Sequence, residues 1–463
     1  MKQNFYAWAA LVVRSFSALL LLTIASNSYS QEEIAIWLVI LVIGALQAVF
    51  DFGISPTVMR FTIYALRTDT APNVELNNTE RERLTRLRRI PFVKFQSYVR
   101  NLYLLLAVLV FGMTVLLGLF ALWDYTDGPT QVIELLIVSA VGNAAAIFQL
   151  NYATYLNARK QVTSLKKAEA LIGVGTLLIS LVLILMQTHL IVVFAMIAFG
   201  KIVMTVGLRW VAKRQSYETE GPGRITMEFL AIIFPQTLRA GIAIAASTGV
   251  LQISSLLLVR TLDPTEATAY LFGLRALQTI TQFSNVPFYT RLPYLISHYV
   301  DGQRLTLLQD AQKLILFSLA LNISLSLVAY ISLELTFEAG WHNLGVIPPF
   351  HLAVIVSFLS FERLASMYSQ IRSLNNRIDW HTLNITNGAF TLVLLIVLLP
   401  TLGPVGYLIG VGMPILVFYL PYSSIRLLLI FPDTARLVRS SIVFCVSGLL
   451  LFWTSLSLIY MLG

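Results

Sequence analysis

The feature that most constrains this chain is its succession of apolar runs, each long enough to cross a membrane. A transmembrane helix needs about 20 mostly apolar residues, and thirteen runs of the 463-residue chain meet that need. They lie at residues 6–26, 34–56, 98–123, 131–154, 167–187, 190–211, 228–258, 264–290, 308–336, 347–371, 381–400, 403–428 and 437–461. Only 12% of the residues are charged, against about 25% in ordinary soluble chains. The sequence therefore predicts an all-α polytopic membrane protein with 12–14 transmembrane helices.

The connections between these runs predict the orientation of the chain. Basic loops alternate with short loops that are poor in cations, so the positive-inside rule places the N-terminus in the cytoplasm. The longest loop, at 66–97, contains the capping-box pattern Thr79-Glu80-Arg81-Glu82 and then a basic amphipathic run. We predict a membrane-surface helix there, whose alternative roles are topology anchor, lipid sensor or recruiter of glycosyltransferases. The formal charge of +9 lies between the apolar runs, which fits membrane topology and not nucleic-acid binding.

A polar join near the middle of the chain predicts the domain organisation. It lies at about 212–227, contains Gly221-Pro222-Gly223, and has six spans before it and seven after. We predict an N-terminal six-helix lobe at 1–215, a C-terminal six-helix lobe at 216–430 and an extra transmembrane helix at 431–463.

The second apolar run contains a break at membrane depth. Asp51 follows a long uncharged stretch, Gly53 and Pro56 disfavour a continuous helix, and Arg60 comes one turn later. Broken backbone within a membrane is tolerated only where it is buried in protein or lines a water-filled cavity. We therefore expect this segment to border a cavity. The alternative is that Asp51 and Arg60 only anchor the end of the helix at the inner surface.

Several charges fall near the centres of predicted spans, where an exposed cation costs about 2.5–3.5 kcal/mol on insertion scales. The cations at this depth are Arg14, Lys201, Arg239, Arg275 and Arg363, and the carboxylates are Asp51 and Glu362. The excess of cations predicts a cavity that accepts an anion, and guanidinium pairs well with phosphate. For each residue a structural ion pair remains the alternative. Lys201 could also be a neutral amine, and the two acids could be sites for H⁺ or Na⁺.

The sequence lacks common motifs for metal binding, nucleotide binding and disulfide chemistry. The chain has no CxxC, HExxH, Walker A or zinc-spaced sequence, and its one cysteine, Cys445, allows no internal disulfide. We predict no metal and no cofactor, so active transport would draw on an ion gradient or on the gradient of the substrate. The predicted outer loops are short and contain one acidic pair, Glu32-Glu33. We therefore predict a protein that is not an enzyme, in preference to a membrane glycosyltransferase, polymerase or ligase.

The sequence resembles a known family in several local segments and in its overall pattern of spans and loops. These segments are Phe50-Asp51-Phe52-Gly53 with Arg60, Tyr155-Leu156-Asn157-Ala158-Arg159-Lys160, Phe234-Pro235, Arg239-Ala240-Gly241, Tyr270, Arg275 and Pro293. With its basic cytoplasmic loop, the chain resembles the oligosaccharidyl-lipid flippases of the multidrug/oligosaccharidyl-lipid/polysaccharide exporter superfamily, in the O-antigen (Wzx-type) branch. It departs from the family in having thirteen spans where twelve or fourteen are expected.

The resemblance implies a structure, a substrate and a location. It implies two six-helix lobes around a central cationic cavity, in the bacterial cytoplasmic (inner) membrane. Such proteins move undecaprenyl-pyrophosphate-linked oligosaccharide to the outer leaflet by alternating access, often coupled to H⁺ or Na⁺. Lipid-linked oligosaccharide and membrane lipids are then the expected partners, with a glycan polymerase and glycosyltransferases as further candidates. A lipid II flippase and a multidrug exporter of the same superfamily remain alternatives.

Overall fold

The computed structural model describes residues 17–51, 53–66, 90–122, 129–159, 161–219, 225–300, 303–338, 347–372 and 380–462. Every regular element in these ranges is helical, which confirms the predicted all-α class. Ten of the described helices are long and apolar enough to cross a membrane. The total of thirteen spans stays a prediction, and the predicted amphipathic helix of the 66–97 loop lies outside the described residues.

The chain forms two compact units, Met1–Gln252 and Ile253–Gly463, and each is described by itself. The division falls within a helix and not at the polar join near 212–227. The predicted lobes at 1–215 and 216–430, the extra helix at 431–463 and the central cavity stay predictions.

Unit 1 is a bundle around a buried second helix. Its helices are α1 (17–25), α2 (Gln31–Ala45), α3 (Gln47–Phe50), α4 (Ile54–Leu66), α5 (Phe92–Leu122), α6 (Pro129–Ala158), α7 (Val162–Leu185), α8 (Leu190–Arg214) and α9 (Met227–Ile244), with a π turn at Ala245–Gly249. Ser30 and Glu33 form a capping box that starts α2. All residues from Ile34 to Ile40 are buried, because α2 is apolar on every side and packs against α5 and α6.

Unit 2 continues the helix that ends unit 1 and adds a second bundle. Its helices are α10 (Val250–Val259), α11 (Pro264–Ser284), α12 (Val286–Val300), α13 (Arg304–Glu338), α14 (Pro349–Arg372), α15 (Trp380–Leu402), α16 (Pro404–Pro414), α17 (Leu420–Ile430) and α18 (Ala435–Leu462), with a π turn at Ile415–Tyr419. The predicted span at 264–290 is interrupted at Asn285, where α11 ends and α12 begins. The core lies between α11, α13, α14 and α18.

The outer surfaces of both bundles are apolar. On α5 the exposed side chains include Leu105, Val108 and Leu116, and on α7 they include Leu171 and Leu185. In a soluble protein such a surface would mark a binding site or an aggregation hazard, whereas hydrocarbon solvates it without cost. The exposure pattern therefore fits a bundle surrounded by lipid.

Candidate functional site

The predicted break in the second run is present in unit 1. The chain leaves α3 at Asp51 and enters α4 at Ile54, and Gly53 between them has φ of +66°. This left-handed conformation favours glycine, because a Cβ atom would strain it. The predicted interruption of the helix at Gly53 is therefore confirmed. The side chains of Pro56 and Arg60 are not among those the structure describes.

Asp51, at this break, is held by neutral hydrogen-bond donors. Its Oδ1 accepts from Ser55 Oγ at 2.8 Å and from Tyr103 OH at 3.4 Å, and its Oδ2 accepts from the Ser55 backbone N–H at 3.2 Å. Tyr103 lies on α5 and also contacts Ser55 and Thr154. The carboxyl group is only 8% exposed. Among the described side chains no cation neutralises it, so it can take up or lose a proton without breaking an ion pair there.

A second polar group in unit 1 is centred on Asn143 of α6. Its Oδ1 accepts from Gln47 Nε2 and from Lys201 Nζ, both at 2.8 Å, and its Nδ2 donates to Thr114 Oγ1 at 3.5 Å. Amide side chains that bond across helices in this way are typical of membrane bundles. Thr154 of the Asp51 group lies eleven residues further along α6, about 16 Å at the helical rise. The two polar groups are therefore separate layers of the bundle.

The ammonium group of Lys201 is thus held within unit 1 by the side-chain amide of Asn143. Its stem packs over Gly142, where an added Cβ would lie 3.4 Å from Lys201 Cδ and 3.0 Å from Ala198 Cα. The close approach of α6 and α8 brings the ammonium group to Asn143. Its neighbours Ile202 and Val203 are exposed apolar residues of α8. These contacts favour a structural role for Lys201, although its predicted role in substrate binding stays open.

We expect Lys201→Met to retain transport and thermal stability. Methionine keeps the packing volume over Gly142 and removes a charge whose insertion costs about 2.5–3.5 kcal/mol, while Asn143 keeps its bond from Gln47. Transport in vesicles and thermal unfolding of the purified protein would measure both effects. Asn143→Leu is the contrasting variant, because it leaves the Lys201 ammonium without its amide. Loss of transport in Lys201→Met with unchanged stability would instead support the substrate-binding role.

The π turn of unit 1 packs beside the broken helix. Gly249 ends this turn, and an added Cβ there would lie 3.3 Å from a Val49 methyl group of α3. Helix α9 also packs against α3 and α4, with Phe229 in the same core cluster as Phe61. Pro235 lies inside α9, which continues to Ile244. Single-turn π bulges occur frequently at functional sites, and here one adjoins the break at Asp51.

The segment after α8 is fastened to the end of the unit 1 bundle. Tyr217 is buried and its hydroxyl accepts from Asn151 Nδ2 at 2.8 Å, while Tyr155 OH donates to the Gln215 carbonyl at 2.6 Å. Arg100 Nη1 donates to Thr219 Oγ1 at 2.9 Å. Burial raises the pKa of the Tyr217 phenol above its ordinary value, so this group stays protonated at physiological pH. Tyr217 carried no sequence signal, because a tyrosine in a polar loop is usually exposed.

The candidate cations of unit 2 lie at different depths of burial. Arg363 is 7% exposed and Glu362 is half-buried, both on α14, and Arg275 on α11 is half-buried. The predicted span at 347–371 leaves Arg372 in the following loop, and the structure corrects this. Arg372 forms the last turn of α14 and is 1% exposed. The signal available for Arg372 was its helical register, since it lies three and four residues after the buried positions 369 and 368.

The structure brings some of the predicted site residues together and leaves others apart. Glu362 and Arg363 lie near Tyr419 in unit 2, whereas Asp51 and Lys201 belong to the two separate layers of unit 1. Arg14 lies outside the described residues. For Arg239, the backbone lies in α9 but the side chain is not described. Among the described residues, no group of three histidine, cysteine or acidic side chains could hold a metal ion.

Comparison with solved structures shows what this fold is similar to. The lipid II flippase MurJ in its inward closed conformation has a TM-score of 0.64 at 13% identity, covering 99% of this chain and 98% of that chain. The Vibrio cholerae MATE transporter VcmN in the bent form has a TM-score of 0.55 at 13% identity, with 96% and 98% covered. A MOP superfamily transporter from Pyrococcus furiosus has a TM-score of 0.53 at 13% identity, covering 92% of this chain and 94% of that chain.

No protein-family model and no curated protein sequence matches the chain. At such low identity the structural likeness shows the fold alone. The molecule is a multi-pass membrane protein, and its fold is the one found in transporters of the MOP superfamily.

Proposed function

We propose that this protein is a flippase that moves undecaprenyl-pyrophosphate-linked oligosaccharide, such as an O-antigen, capsule or exopolysaccharide repeat unit, across the bacterial cytoplasmic membrane by alternating access. The observation that carries the proposal is a pair of buried guanidinium groups on one helix of unit 2. Arg363 and Arg372 are buried there, and the half-buried Glu362 directly precedes Arg363 on α14. Buried cations in a membrane mark substrate pathways, and their positive charge favours an anionic substrate.

The pyrophosphate is the anionic part of such a substrate. Arginine binds phosphate through two parallel hydrogen bonds, which would lower the cost of moving the headgroup through hydrocarbon. MurJ, whose fold is similar, is a lipid II flippase, and this likeness supports a lipid-linked substrate here. The prenyl chain would remain in lipid, and the N-terminus would face the cytoplasm.

We further propose that Asp51 couples transport to H⁺ in preference to Na⁺. Its described side-chain partners are the hydroxyl groups of Ser55 and Tyr103, which can donate to the carboxylate. A Na⁺ ion would need several oxygen ligands around it, whereas a proton needs only the carboxylate itself. Acidic side chains buried in membrane helices commonly act as proton relays.

The substrate is tested in proteoliposomes with a labelled headgroup. We expect the protein to expose NBD-labelled undecaprenyl-pyrophosphate oligosaccharide to external dithionite faster than protein-free vesicles do. Lipid II with the same label tests the alternative flippase, because it has the same pyrophosphate and a different glycan. Ethidium uptake tests the multidrug exporter. Flipping of lipid II alone, or movement of ethidium alone, would reject the proposed substrate.

A further inference from the structure

One face of α6 serves both Asp51 and the segment that follows α8, residues 215–219. Asn151, Thr154 and Tyr155 share this face, because side chains three and four residues apart on a helix are neighbours. Asn151 and Tyr155 bind the 215–219 segment through hydrogen bonds of 2.8 and 2.6 Å. Thr154 lies between them in the sequence and contacts the tyrosine that binds Asp51. Helix α6 therefore brings the two sets of contacts to within about one helical turn of each other.

Helix α5 makes the same connection from the other side. Gln96, Arg100 and Tyr103 lie on one face of α5, at intervals of four and three residues. Tyr103 OH lies 3.4 Å from Asp51 Oδ1, whereas Arg100 Nη1 donates to Thr219 Oγ1 at 2.9 Å. Gln96 Oε1 accepts from a backbone N–H group of the 215–219 segment at 3.2 Å. The side chains that fasten the segment thus begin one turn from the side chain that binds Asp51.

Tyr217 is the part of the 215–219 segment that enters the bundle. It is 8% exposed, and its ring packs edge-on against those of Tyr152 and Tyr155, with centroids 5.3 and 5.0 Å away. Connecting segments normally lie on the surface, so a buried tyrosine fastens this one to the bundle. Helix α9 follows the segment and packs against α3 and α4, on either side of the break. The docked segment therefore holds the start of α9 beside the helix that contains Asp51.

Opposite charges act on the two ends of this arrangement. The charge of Asp51 acts on the Tyr103 hydroxyl group, and the charge of Arg100 acts on the Tyr217 hydroxyl group. A carboxylate and a guanidinium group attract each other more strongly where water is excluded, so ionised Asp51 favours the position in which Arg100 binds the segment. Protonation removes this attraction and also converts the carboxyl group from an acceptor into a donor. Docking of the segment is therefore favoured by ionised Asp51.

The groups around Asp51 and the 215–219 segment differ in whether they titrate. Phenol and guanidinium groups keep their ordinary charge between about pH 4 and pH 9, whereas a carboxyl group can change its charge in that range. Glu218 is exposed on the segment and needs its own control. The phenols described there are Tyr103, Tyr152, Tyr155 and Tyr217, and the described guanidinium groups are those of Arg100, Arg159 and Arg209.

We propose that Tyr217 is a latch between α8 and α9, whose docking into unit 1 depends on the ionisation of Asp51. The inference rests on the proposed coupling of transport to H⁺ and adds the element through which the proton acts. Ionised Asp51 keeps the 215–219 segment docked, whereas proton binding releases the segment and frees the start of α9. Because such a linkage is reciprocal, docking of the segment changes the proton affinity of Asp51 by the same factor.

Hydrogen–deuterium exchange of the full-length protein in phosphatidylcholine nanodiscs tests the latch. The backbone N–H groups of residues 215–218 are all hydrogen-bonded, so their exchange reports docking. After correction for intrinsic exchange, we expect the segment to exchange about fivefold or more faster at pH 5 than at pH 8, as for a typical coupling between sites. Asp51→Asn should give fast exchange at both pH values, because its side chain is always neutral. Equal protection of the wild type at both pH values, or wild-type pH dependence in Asp51→Asn, overturns the proposal.

Variants of single polar groups connect the exchange to the latch itself. Tyr217→Phe keeps the ring and removes the hydroxyl group, so it should speed exchange of the 215–219 segment at pH 8. Tyr29→Phe is the matched control, because Tyr29 is 7% exposed and its hydroxyl group donates to the Thr188 carbonyl at 2.7 Å, at the opposite end of α8. It should leave the segment unchanged, and Glu218→Gln should keep the pH dependence. Wild-type exchange in Tyr217→Phe, or loss of the pH dependence in Glu218→Gln, would refute the latch.

The latch and the proposed H⁺ coupling fail in different ways. Loss of pH-driven transport in Asp51→Asn, combined with exchange of the 215–219 segment that does not vary with pH, keeps the coupling and refutes the latch. Exchange that depends on both pH and Asp51, in a protein whose transport does not respond to a pH gradient, keeps the latch and refutes the coupling.

Discussion

Asp51→Asn is expected to abolish proton-driven transport while leaving the fold intact. Asparagine has the same shape and keeps one oxygen for Ser55 and Tyr103, but it cannot exchange a proton between pH 4 and 9. A gradient of one pH unit is worth about 1.4 kcal/mol per coupled proton, or tenfold in substrate accumulation. Loss of one coupled proton should therefore remove about that factor, whereas exchange of substrate down its own gradient should continue.

Transport into vesicles with an imposed pH gradient measures this effect, and a Na⁺ gradient at constant pH tests the other ion. Ser55→Ala is a matched control because it removes the 2.8 Å hydrogen bond to Asp51 and keeps the carboxyl group. Glu362→Gln tests the second acid that the sequence identifies. Unchanged pH-driven transport in Asp51→Asn would exclude Asp51 as the coupling residue. Loss in Glu362→Gln alone would move the coupling to unit 2.

Gly406→Ala is expected to destabilise unit 2 strongly. Its new Cβ would lie 2.2 Å from the carbonyl oxygen and 2.6 Å from the carbonyl carbon of Leu398, and 3.0 Å from the backbone nitrogen of Leu399. These are backbone atoms of α15, so relief requires α15 and α16 to move apart. An added Cβ at Gly410, one turn later, would lie 2.8 Å from the Leu395 side chain and 3.3 Å from its backbone nitrogen, so the hairpin depends on a small-residue face.

We expect Gly406→Ala to destabilise the protein by about 1–3 kcal/mol or more, the range for overpacked sites. Thermal unfolding followed by size-exclusion chromatography of the detergent-purified protein measures the loss. Gly112→Ala is the control, because nothing lies within 4 Å of its added Cβ and alanine favours a helix by about 1 kcal/mol over glycine. Equal melting of the two variants would show that the hairpin accommodates the extra carbon atom.

Asp51 and Gly406 both lie where helices pack closely. Asp51 depends on a break in the helix that lets Ser55 fold back onto the carboxylate, and Gly406 depends on a hairpin that allows no side chain between its helices. A single carbon atom or a single charge therefore has a large effect at each position, because neither site can relax without moving a helix.

Much of the fold could be predicted from the sequence because lipid imposes a simple rule. Apolar runs of helical length must become helices, since unpaired backbone groups are costly in hydrocarbon. The break at Gly53 could also be predicted, because glycine adopts positive φ without strain. Local residue types also singled out Asp51, Glu362 and Arg363, of which Asp51 and Arg363 are buried.

Only the tertiary structure decided which of these charges share neighbours and which side chains complete the groups. Lys201 and Arg363 look equivalent as mid-span cations, yet Lys201 bonds to Asn143 and Arg363 lies near Tyr419. Arg372 and Tyr217 looked like loop residues and are buried. Hydropathy depends on residue type along the chain, whereas the partner of a polar side chain depends on how helices distant in sequence are rotated and packed against one another.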